Sequence, residues 1–404
     1  MAERFTLVHP AWSSHTPPVK IVCASSVLLG TEAFSTLGTV VTVPGEAISP
    51  NVLSDADALI IRSGTKVDEA LLKNSPVAFV GTATAGTNHL DIPYLEERGI
   101  AWSNAIGSNA NSVSEYVTAA VLFTVREHGL LLDDLSIGII GAGHVGSALE
   151  EKCRSMGMTV LLNDPPRRMK EDNPAFISLE ALLTEVDIIS LHVPLEDSGP
   201  FPTRHLADQR FFEQVQPGAL FVNASRGEVV DSDALLAAFD NGTVQAGVLD
   251  VWEHEPEIRL DVLERVDLGT PHIAGYSHEG KLNGTLMLYE DACRFFEVED
   301  AFDPAHHFPE LESPRIHLDA RGCLDQDVLW NAVQCAYDIR EDDRQLREGA
   351  VSDGLARAAY FSGLRRNYGV RREFPAYEVA LAHRSEEQQA KLSGLGFRVP
   401  DTGE

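Results

Sequence analysis

Residues 136–150 read SIGIIGAGHVGSALE, and this stretch constrains the fold more tightly than any other. A short apolar run closes on Gly141, Gly143 and Gly146, and a helix-forming segment follows at once. The spacing G-x-G-x-x-G between a strand and a helix allows a tight turn, close approach of a pyrophosphate and close helix–strand packing. The helix start adds unpaired N–H groups and a dipole that favours phosphate. Alone, the pattern also fits a glycine-rich turn that binds nothing. It gains weight from the next apolar run, LLNDPPR. That run places Asp164 about twenty residues on, where a carboxylate accepts hydrogen bonds from a ribose hydroxyl. The same carboxylate repels a 2′-phosphate, which favours NAD over NADP, although Arg167 and Arg168 stand nearby.

Around this motif, short β-branched runs alternate with longer helical stretches, the pattern of parallel α/β sheets. KIVCAS, ALIIRSG, VAFVGTATAG and IAWSNA form a first series. SNANSVSEYVTAAVLFTVREHG reads as a long helix, started by Ser and Asn, stopped at Gly129, and apolar enough for burial between two domains. SIGIIGAG, TVLLND, DIISLHVP, ALFVNASRG and QAGVLDVW form a second series with helical segments between, one complete doubly wound domain. A helix from near His278 returns the chain to the first domain. The Pro-rich, acidic EDAFDPAHHFPELESPR reads as a linker. Beyond it RIHLDA, a long helix from Asp325 and AYEVALAH form a separate α/β unit. The expected fold is α/β, with two Rossmann-like doubly wound domains and a C-terminal α/β domain. The boundaries fall at 1–18 for an N-terminal extension, 19–108 with 283–303 for the first domain, 109–282 for the second and 304–404 for the third.

Composition removes several functions. A net charge of −29 argues against nucleic-acid binding, which needs a basic surface to displace counterions. The chain has no apolar run of the roughly eighteen residues that span a membrane, and its start lacks a basic region followed by an apolar one, so no secretory signal is expected. The five cysteines are scattered and never spaced C-x-x-C, which fits reduced, buried thiols in a cytoplasm. His306–His307 and His254–Glu255 lack matched ligand spacing, so no metal is expected.

A second constellation lies at later strand ends: Arg226 in NASRGEVVD, Glu255 in DVWEHEPE and His272 in TPHIAGY. Ligands of open α/β sheets lie beyond the carboxyl ends of strands. An arginine grips a carboxylate with two parallel hydrogen bonds. A histidine takes a hydroxyl proton as hydride leaves the same carbon, and a neighbouring carboxylate fixes its tautomer. Singly, each has a plain alternative: a surface salt bridge, a loop acid, a satisfied buried histidine.

GAGHVG, NASRGEVVD, DVWEHEPE and TPHIAG together resemble the D-2-hydroxyacid dehydrogenase superfamily. RSGTKV, GTATAGTNHLD, NDPPR, GPFPTRHLAD and HIAGYSHEGK resemble more narrowly its branch that oxidises 4-phospho-D-erythronate with NAD in pyridoxal 5′-phosphate synthesis. The narrower likeness continues through LDQDVLWNAVQCAYDIREDDRQLR and LRRNYGVRRE and covers about residues 19–400. It implies that Arg226 and Glu255 are catalytic and that His272 is the proton donor and acceptor. It places Asp164, Val193, Ala224, Ser225, Arg226, Asp250 and Gly275 at the NAD, with His144 and Val145 at the glycine turn. Ser63, Thr84 and Tyr276 would contact substrate, a phosphorylated 2-hydroxy acid. The last hundred or so residues would form a dimerisation domain of a cytoplasmic homodimer, with no membrane or nucleic-acid partner. Val193 stands where a hydroxyl residue occurs in the family, and Ser225 where a cysteine often does.

Two rival functions stay open: a dehydrogenase of another 2-hydroxy acid, of the phosphoglycerate or glyoxylate type, and a non-enzymatic NAD sensor. The basic run Leu364–Glu373 has two readings as well. It makes salt bridges within a dimer, or one of its arginines meets the substrate phosphate in a neighbouring active site.

Overall fold

The computed structural model describes residues 19–400, so the expected N-terminal extension lies outside the described residues. The described residues divide into two compact units, residues 19–109 with 278–310, and residues 110–277 with 311–400.

The first unit holds one parallel sheet of β1 (Val19–Ala24), β2 (Gly38–Val43), β3 (Ala58–Ile61), β4 (Phe79–Thr82) and β5 (Ala101–Asn104). Its order is β2-β1-β3-β4-β5. The β1, β3 and β4 strands are almost wholly buried, as expected for a sheet covered on both faces. The helix His278–Phe296 brings Leu288, Tyr289, Ala292 and Phe296 into this core. Ser63 and Thr84 each stand two residues after the end of β3 and β4, at the carboxyl edge of the sheet.

The second unit carries β6 (Ser136–Ile140), β7 (Thr159–Asn163), β8 (Ile188–Leu191), β9 (Ala219–Asn223), β10 (Val244–Leu249) and β11 (Leu268–Gly269), ordered β11-β10-β9-β8-β6-β7 and parallel throughout. A parallel bridge from Leu162 to Phe176 extends the sheet beyond β7. The strand order reverses between β6 and β8, and ligands of such sheets bind beyond that point.

The helix Ala110–Glu127 is buried over most of its length. It packs against the helices His144–Ser155 and Asp325–Ala336, all within this second unit. The C-terminal residues add a two-stranded parallel sheet, β12 (Arg315–Asp319) and β13 (Glu378–Ala382). Val328, Leu329, Trp330, Val333 and Phe374 join one continuous core with Tyr116, Val117 and Leu122 of the long helix.

A buried polar cluster fastens the C-terminal segment further. Glu373 accepts hydrogen bonds from Ser112 Oγ at 2.6 Å, Ser277 Oγ at 2.8 Å and Asn111 Nδ2 at 2.5 Å. Arg371 Nη2 donates to Ser112 O at 3.2 Å and to Ala274 O at 2.5 Å. Glu115 accepts from Phe374 N at 3.0 Å, and burial, reinforced by the charge of Glu373, pushes its carboxyl up to about 8. The C-terminal segment therefore supports Ala274 and Ser277, two and five residues after His272.

All five cysteines are free. Cys23, Cys153 and Cys293 are buried, but Cys323 is half-buried and Cys335 exposed, both in the C-terminal segment. The expectation of buried thiols thus fails at these two, because Cys323 sits in the loop before the helix Asp325–Ala336 and Cys335 on an exposed position of that helix. No described helix is long and apolar enough to cross a membrane.

Candidate active site

The turn after β6 is built from glycines for steric reasons. Gly141 has φ +90°, and a Cβ there would stand 2.6 Å from the His192 carbonyl oxygen and 2.9 Å from Val193 Cγ1. A Cβ on Gly146 would stand 2.1 Å from the Gly141 carbonyl oxygen. Both positions are closed to any side chain. Gly143, by contrast, is exposed and has open space where its Cβ would be. His144 and Val145 open the helix behind it, His144 exposed and Val145 half-buried. This leaves helix N–H groups facing a backbone with no side chain in front, the arrangement that receives a pyrophosphate.

Asp164 caps the helix that follows β7, accepting from Arg167 N at 2.9 Å, and also accepts from Ala142 N of the glycine turn at 3.0 Å. It therefore shapes the turn from the side where a ribose is expected. Arg167 adds a hydrogen bond to Ala142 O and lies over the Phe176 ring, 4.8 Å from its centroid. Val193 is half-buried beyond β8, and its neighbour His192 is pushed down to about 3 by burial, with Nε2 2.8 Å from Ser190 Oγ. A neutral imidazole is thus fixed beside the glycine turn. The donors, the glycine cradle and the acid at the next strand end all fit a dinucleotide.

At the other strand ends the structure brings Glu255 and His272 together. His272 Nδ1 lies 2.8 Å from Glu255 Oε2, and Trp252 N donates to Glu255 Oε1 at 2.9 Å. Burial pushes the Glu255 carboxyl up, but the charge and hydrogen bond of His272, the Trp252 N–H and the charge of Arg365 outweigh it and leave it below the usual carboxylate range. An ionised Glu255 holds Nδ1 as the protonated nitrogen, which leaves Nε2 to exchange protons.

His272 has φ +57°, a left-handed conformation uncommon for a residue with a side chain. Asp250 holds the chain there. Its carboxylate accepts from Ile273 N at 2.7 Å, Ala274 N at 2.9 Å and Thr270 Oγ1 at 2.7 Å, while His272 N donates to Asp250 O at 2.7 Å. Burial pushes the Asp250 carboxyl up against the opposing pull of the His272 charge and these donors. Its role in this structure is to fasten the turn that carries His272. Tyr116 completes the support, with its hydroxyl 2.7 Å from Thr270 Oγ1.

Arg226 follows β9 and is half-buried, with Nη1 donating to Ser225 O at 2.7 Å. Asn223 ties the loop by accepting from Ser225 N and Oγ at 3.0 and 2.8 Å and donating to Arg226 O at 2.9 Å. Ala224 is half-buried in the same loop. The next residue joins the Arg226 loop to the Glu255 loop. A Cβ on Gly227 would stand 1.9 Å from the Trp252 carbonyl oxygen, so the two backbones touch. Trp252 Nε1 in turn donates to Thr270 O at 2.9 Å, two residues before His272. Gly227, Trp252 and Thr270 thus bind the three candidate catalytic residues into one scaffold.

Gly275 and Tyr276 are half-buried directly after the histidine turn. Ser63 is exposed, and Thr84 Oγ1 lies 2.9 Å from Thr82 Oγ1 and donates to Gly86 O at 3.0 Å. Both belong to the first unit, whereas Arg226, Glu255, His272 and Tyr276 belong to the second. Trp252, Gly227 and Asp250's hold on the turn escape sequence reasoning. Only the tryptophan beside the acid in DVWEHEPE gives a hint. Among the described residues no cluster of His, Cys, Asp and Glu is arranged to hold a metal ion.

A doubly wound parallel sheet with a glycine turn, a hydrogen-bonded Glu–His pair and an arginine at neighbouring strand ends is the architecture of an NAD-dependent dehydrogenase of 2-hydroxy acids. Residues 110–274 match the NAD binding domain of D-isomer specific 2-hydroxyacid dehydrogenases, and residues 309–396 match a domain of unknown function, DUF3410. Among solved structures, the D-lactate dehydrogenase of Aquifex aeolicus, complexed with NAD and lactic acid, is similar with a TM-score of 0.55 at 25% identity, covering 69% of this chain and 95% of that one. The D-isomer specific 2-hydroxyacid dehydrogenase of Lactobacillus delbrueckii ssp. bulgaricus shares the fold, with a TM-score of 0.58 at 22% identity over 70% of this chain and 98% of that one. Erythronate-4-phosphate dehydrogenase of Escherichia coli O17:K52:H18 is 43% identical over 94% of this chain and 98% of its own length. The Cronobacter sakazakii enzyme of the same name gives the same figures. The chain belongs to the erythronate-4-phosphate dehydrogenase family.

Proposed function

We propose that the protein oxidises 4-phospho-D-erythronate at C2 to (3R)-3-hydroxy-2-oxo-4-phosphooxybutanoate, with reduction of NAD, as the second step of pyridoxal 5′-phosphate synthesis. The single observation that carries the chemistry is the 2.8 Å bond between His272 Nδ1 and the Glu255 carboxylate. The choice of substrate rests on the 43% identity to enzymes of that name over nearly the whole chain.

In this reading Arg226 grips the substrate carboxylate with its guanidinium fork. His272 Nε2 takes the C2 hydroxyl proton as the C–H pair of electrons leaves, and Glu255 stabilises the imidazolium that results. Bound NAD supplies the acceptor for that hydride. The glycine turn at Gly141, Gly143 and Gly146, with His144 and Val145, holds the pyrophosphate. Asp164 would accept from a ribose hydroxyl, and Val193, Ala224, Ser225, Arg226, Asp250 and Gly275 would line the rest of the NAD site. Val193 carries no hydrogen-bonding side chain, so its part is backbone or packing. Ser63, Thr84 and Tyr276 contribute hydroxyls to the substrate.

Residues 19–108 with 283–303 act as the substrate-binding domain, residues 109–282 as the NAD-binding domain, and residues 304–404 pair two copies into a homodimer. What supports pairing is the helix Gly354–Arg366, in which Phe361 is the one buried residue and Leu355 is 78% exposed. A cytoplasmic location agrees with five unpaired cysteines.

The test is oxidation of 4-phospho-D-erythronate, 3-phosphoglycerate, glycerate and lactate, read as NADH formed without an added acceptor and, in parallel, as consumption of an added 2-oxo acid that reoxidises retained NADH to NAD. The expected result is a kcat/KM for 4-phospho-D-erythronate at least about 100-fold above the others, the discrimination gained when a site's polar groups match the substrate. A higher value for 3-phosphoglycerate would reassign the enzyme to the phosphoglycerate type.

A further inference from the structure

We propose that Arg365 is the residue that recognises the phosphate of the substrate, and that it serves the active site of its own chain. The proposal rests on the reading that the substrate is a phosphorylated 2-hydroxy acid.

Arg365 is the penultimate residue of the helix Gly354–Arg366, far from the catalytic residues in sequence. The fold nevertheless brings it to them. Its Nη2 donates to Tyr276 Oη at 3.3 Å, and its guanidinium carbon lies 5.9 Å from the Tyr276 ring centroid. Tyr276 stands four residues after His272, and its ring is steadied by an edge contact with Tyr368 at 5.9 Å. The charge of Arg365 is felt at the Glu255 carboxylate, the acid that orients His272. A cation is therefore held at the catalytic turn by a neighbouring phenol.

The bonding of Arg365 is incomplete in an informative way. Its Nε is buried with no hydrogen-bond partner, and no ion pair joins it to any described carboxylate. The chain has 61 acidic residues against 32 Lys and Arg, so a half-buried arginine without an acid is a departure from its surroundings. Burying a guanidinium N–H with no acceptor is unfavourable. An incoming anion would supply acceptors that this guanidinium lacks. The guanidinium fork matches a phosphate, to which it donates two parallel hydrogen bonds.

The chemistry of the substrate divides the labour between two arginines. A phosphorylated 2-hydroxy acid is anionic at both ends, and the carboxylate end must lie beside the reacting C2. Arg226, joined through Gly227 and Trp252 to the Glu255 loop, suits the carboxylate. Arg365, held on Tyr276, suits the far end. The basic run thus contributes a substrate contact within one chain, rather than reaching into a neighbouring one.

Arg365→Gln and Arg365→Lys test the proposal, with kcat/KM measured for 4-phospho-D-erythronate and for D-erythronate, and NAD affinity and thermal stability measured alongside. The expected result for Arg365→Gln is a fall of about 100-fold in the preference for the phosphorylated over the unphosphorylated acid, the scale of lost hydrogen bonds to a charged group. Arg365→Lys keeps the charge without the fork and should fall by about 10-fold. Equal losses with both acids, or none with either, would overturn the proposal and leave Arg365 as a support for Tyr276. A loss of NAD affinity in place of lost phosphate preference would also overturn it, assigning the guanidinium to the cofactor pyrophosphate. If Arg365→Gln does not fold, the proposal stands or falls on Arg365→Lys. A wild-type enzyme with no preference for the phosphorylated acid would overturn the substrate reading itself, whatever the variants do.

Discussion

His272→Ala is expected to lose about 10²- to 10⁴-fold in turnover, the range for removal of a general base, while binding NAD as tightly as the wild type. The imidazole is held by Glu255 at Nδ1, so its other nitrogen is the one presented for proton exchange. Nothing else on the turn can replace it, since Pro271, Ile273, Ala274 and Gly275 carry no titratable group. The substitution also touches the backbone, because position 272 has φ +57°. Histidine, asparagine and aspartate accept that region better than alanine does. His272→Asn is therefore the cleaner companion. It should keep the turn, keep NAD affinity and show the same loss of turnover. Steady-state kinetics and an NAD titration on both variants check this, and a variant that turns over at the wild-type rate would remove His272 from the mechanism.

Gly227→Ala is expected to lower kcat/KM by about 100-fold or more, the effect of displacing catalytic groups by about 1 Å. The added methyl would stand 1.9 Å from the Trp252 carbonyl oxygen and 2.0 Å from its carbonyl carbon. No side chain is available to swing aside, so one of two loops must move. One loop carries Arg226 and the other carries Glu255 through the bond from Trp252 N. The loss should be out of proportion to any fall in thermal stability, and larger than any fall in NAD affinity, because the glycine turn lies at other strand ends and only the Ala224–Arg226 part of the NAD site shares the displaced loop. A variant as active as the wild type would show that the two loops are not coupled as this contact implies.

Much of the site is legible in the sequence because its parts are local. Gly141, Gly143 and Gly146 reveal themselves by spacing, Asp164 by its distance from them, and Arg226, Glu255 and His272 by their places after apolar runs. The alternation of strand and helix segments likewise survives in the two parallel sheets. What the sequence does not reveal is made by approach between distant segments. Gly227 looks like one more loop glycine until Trp252 is found against it. Asp250 reads as a strand-end acid, yet its two oxygens are occupied in holding residues 270–274. The Pro-rich, acidic stretch after residue 300 reads as a break, but Val328, Leu329 and Phe374 beyond it share a core with the helix Ala110–Glu127. That packing is a property of surfaces, and no local period announces it. Arg365 is the sharpest case, since a basic run in an acidic chain marks where to look without saying what the run meets.

The measurement that bears most directly on the central claim is a single turnover with 4-phospho-D-erythronate deuterated at C2, mixed with NAD-loaded enzyme, compared between the wild type and His272→Asn. A base at His272 that draws the hydroxyl proton while hydride leaves C2 predicts that the deuterium appears in the NADH formed by the wild type. It also predicts that His272→Asn, with NAD bound, forms that NADH about 10²- to 10⁴-fold more slowly. Deuterium released to water, or a variant as fast as the wild type, would contradict it.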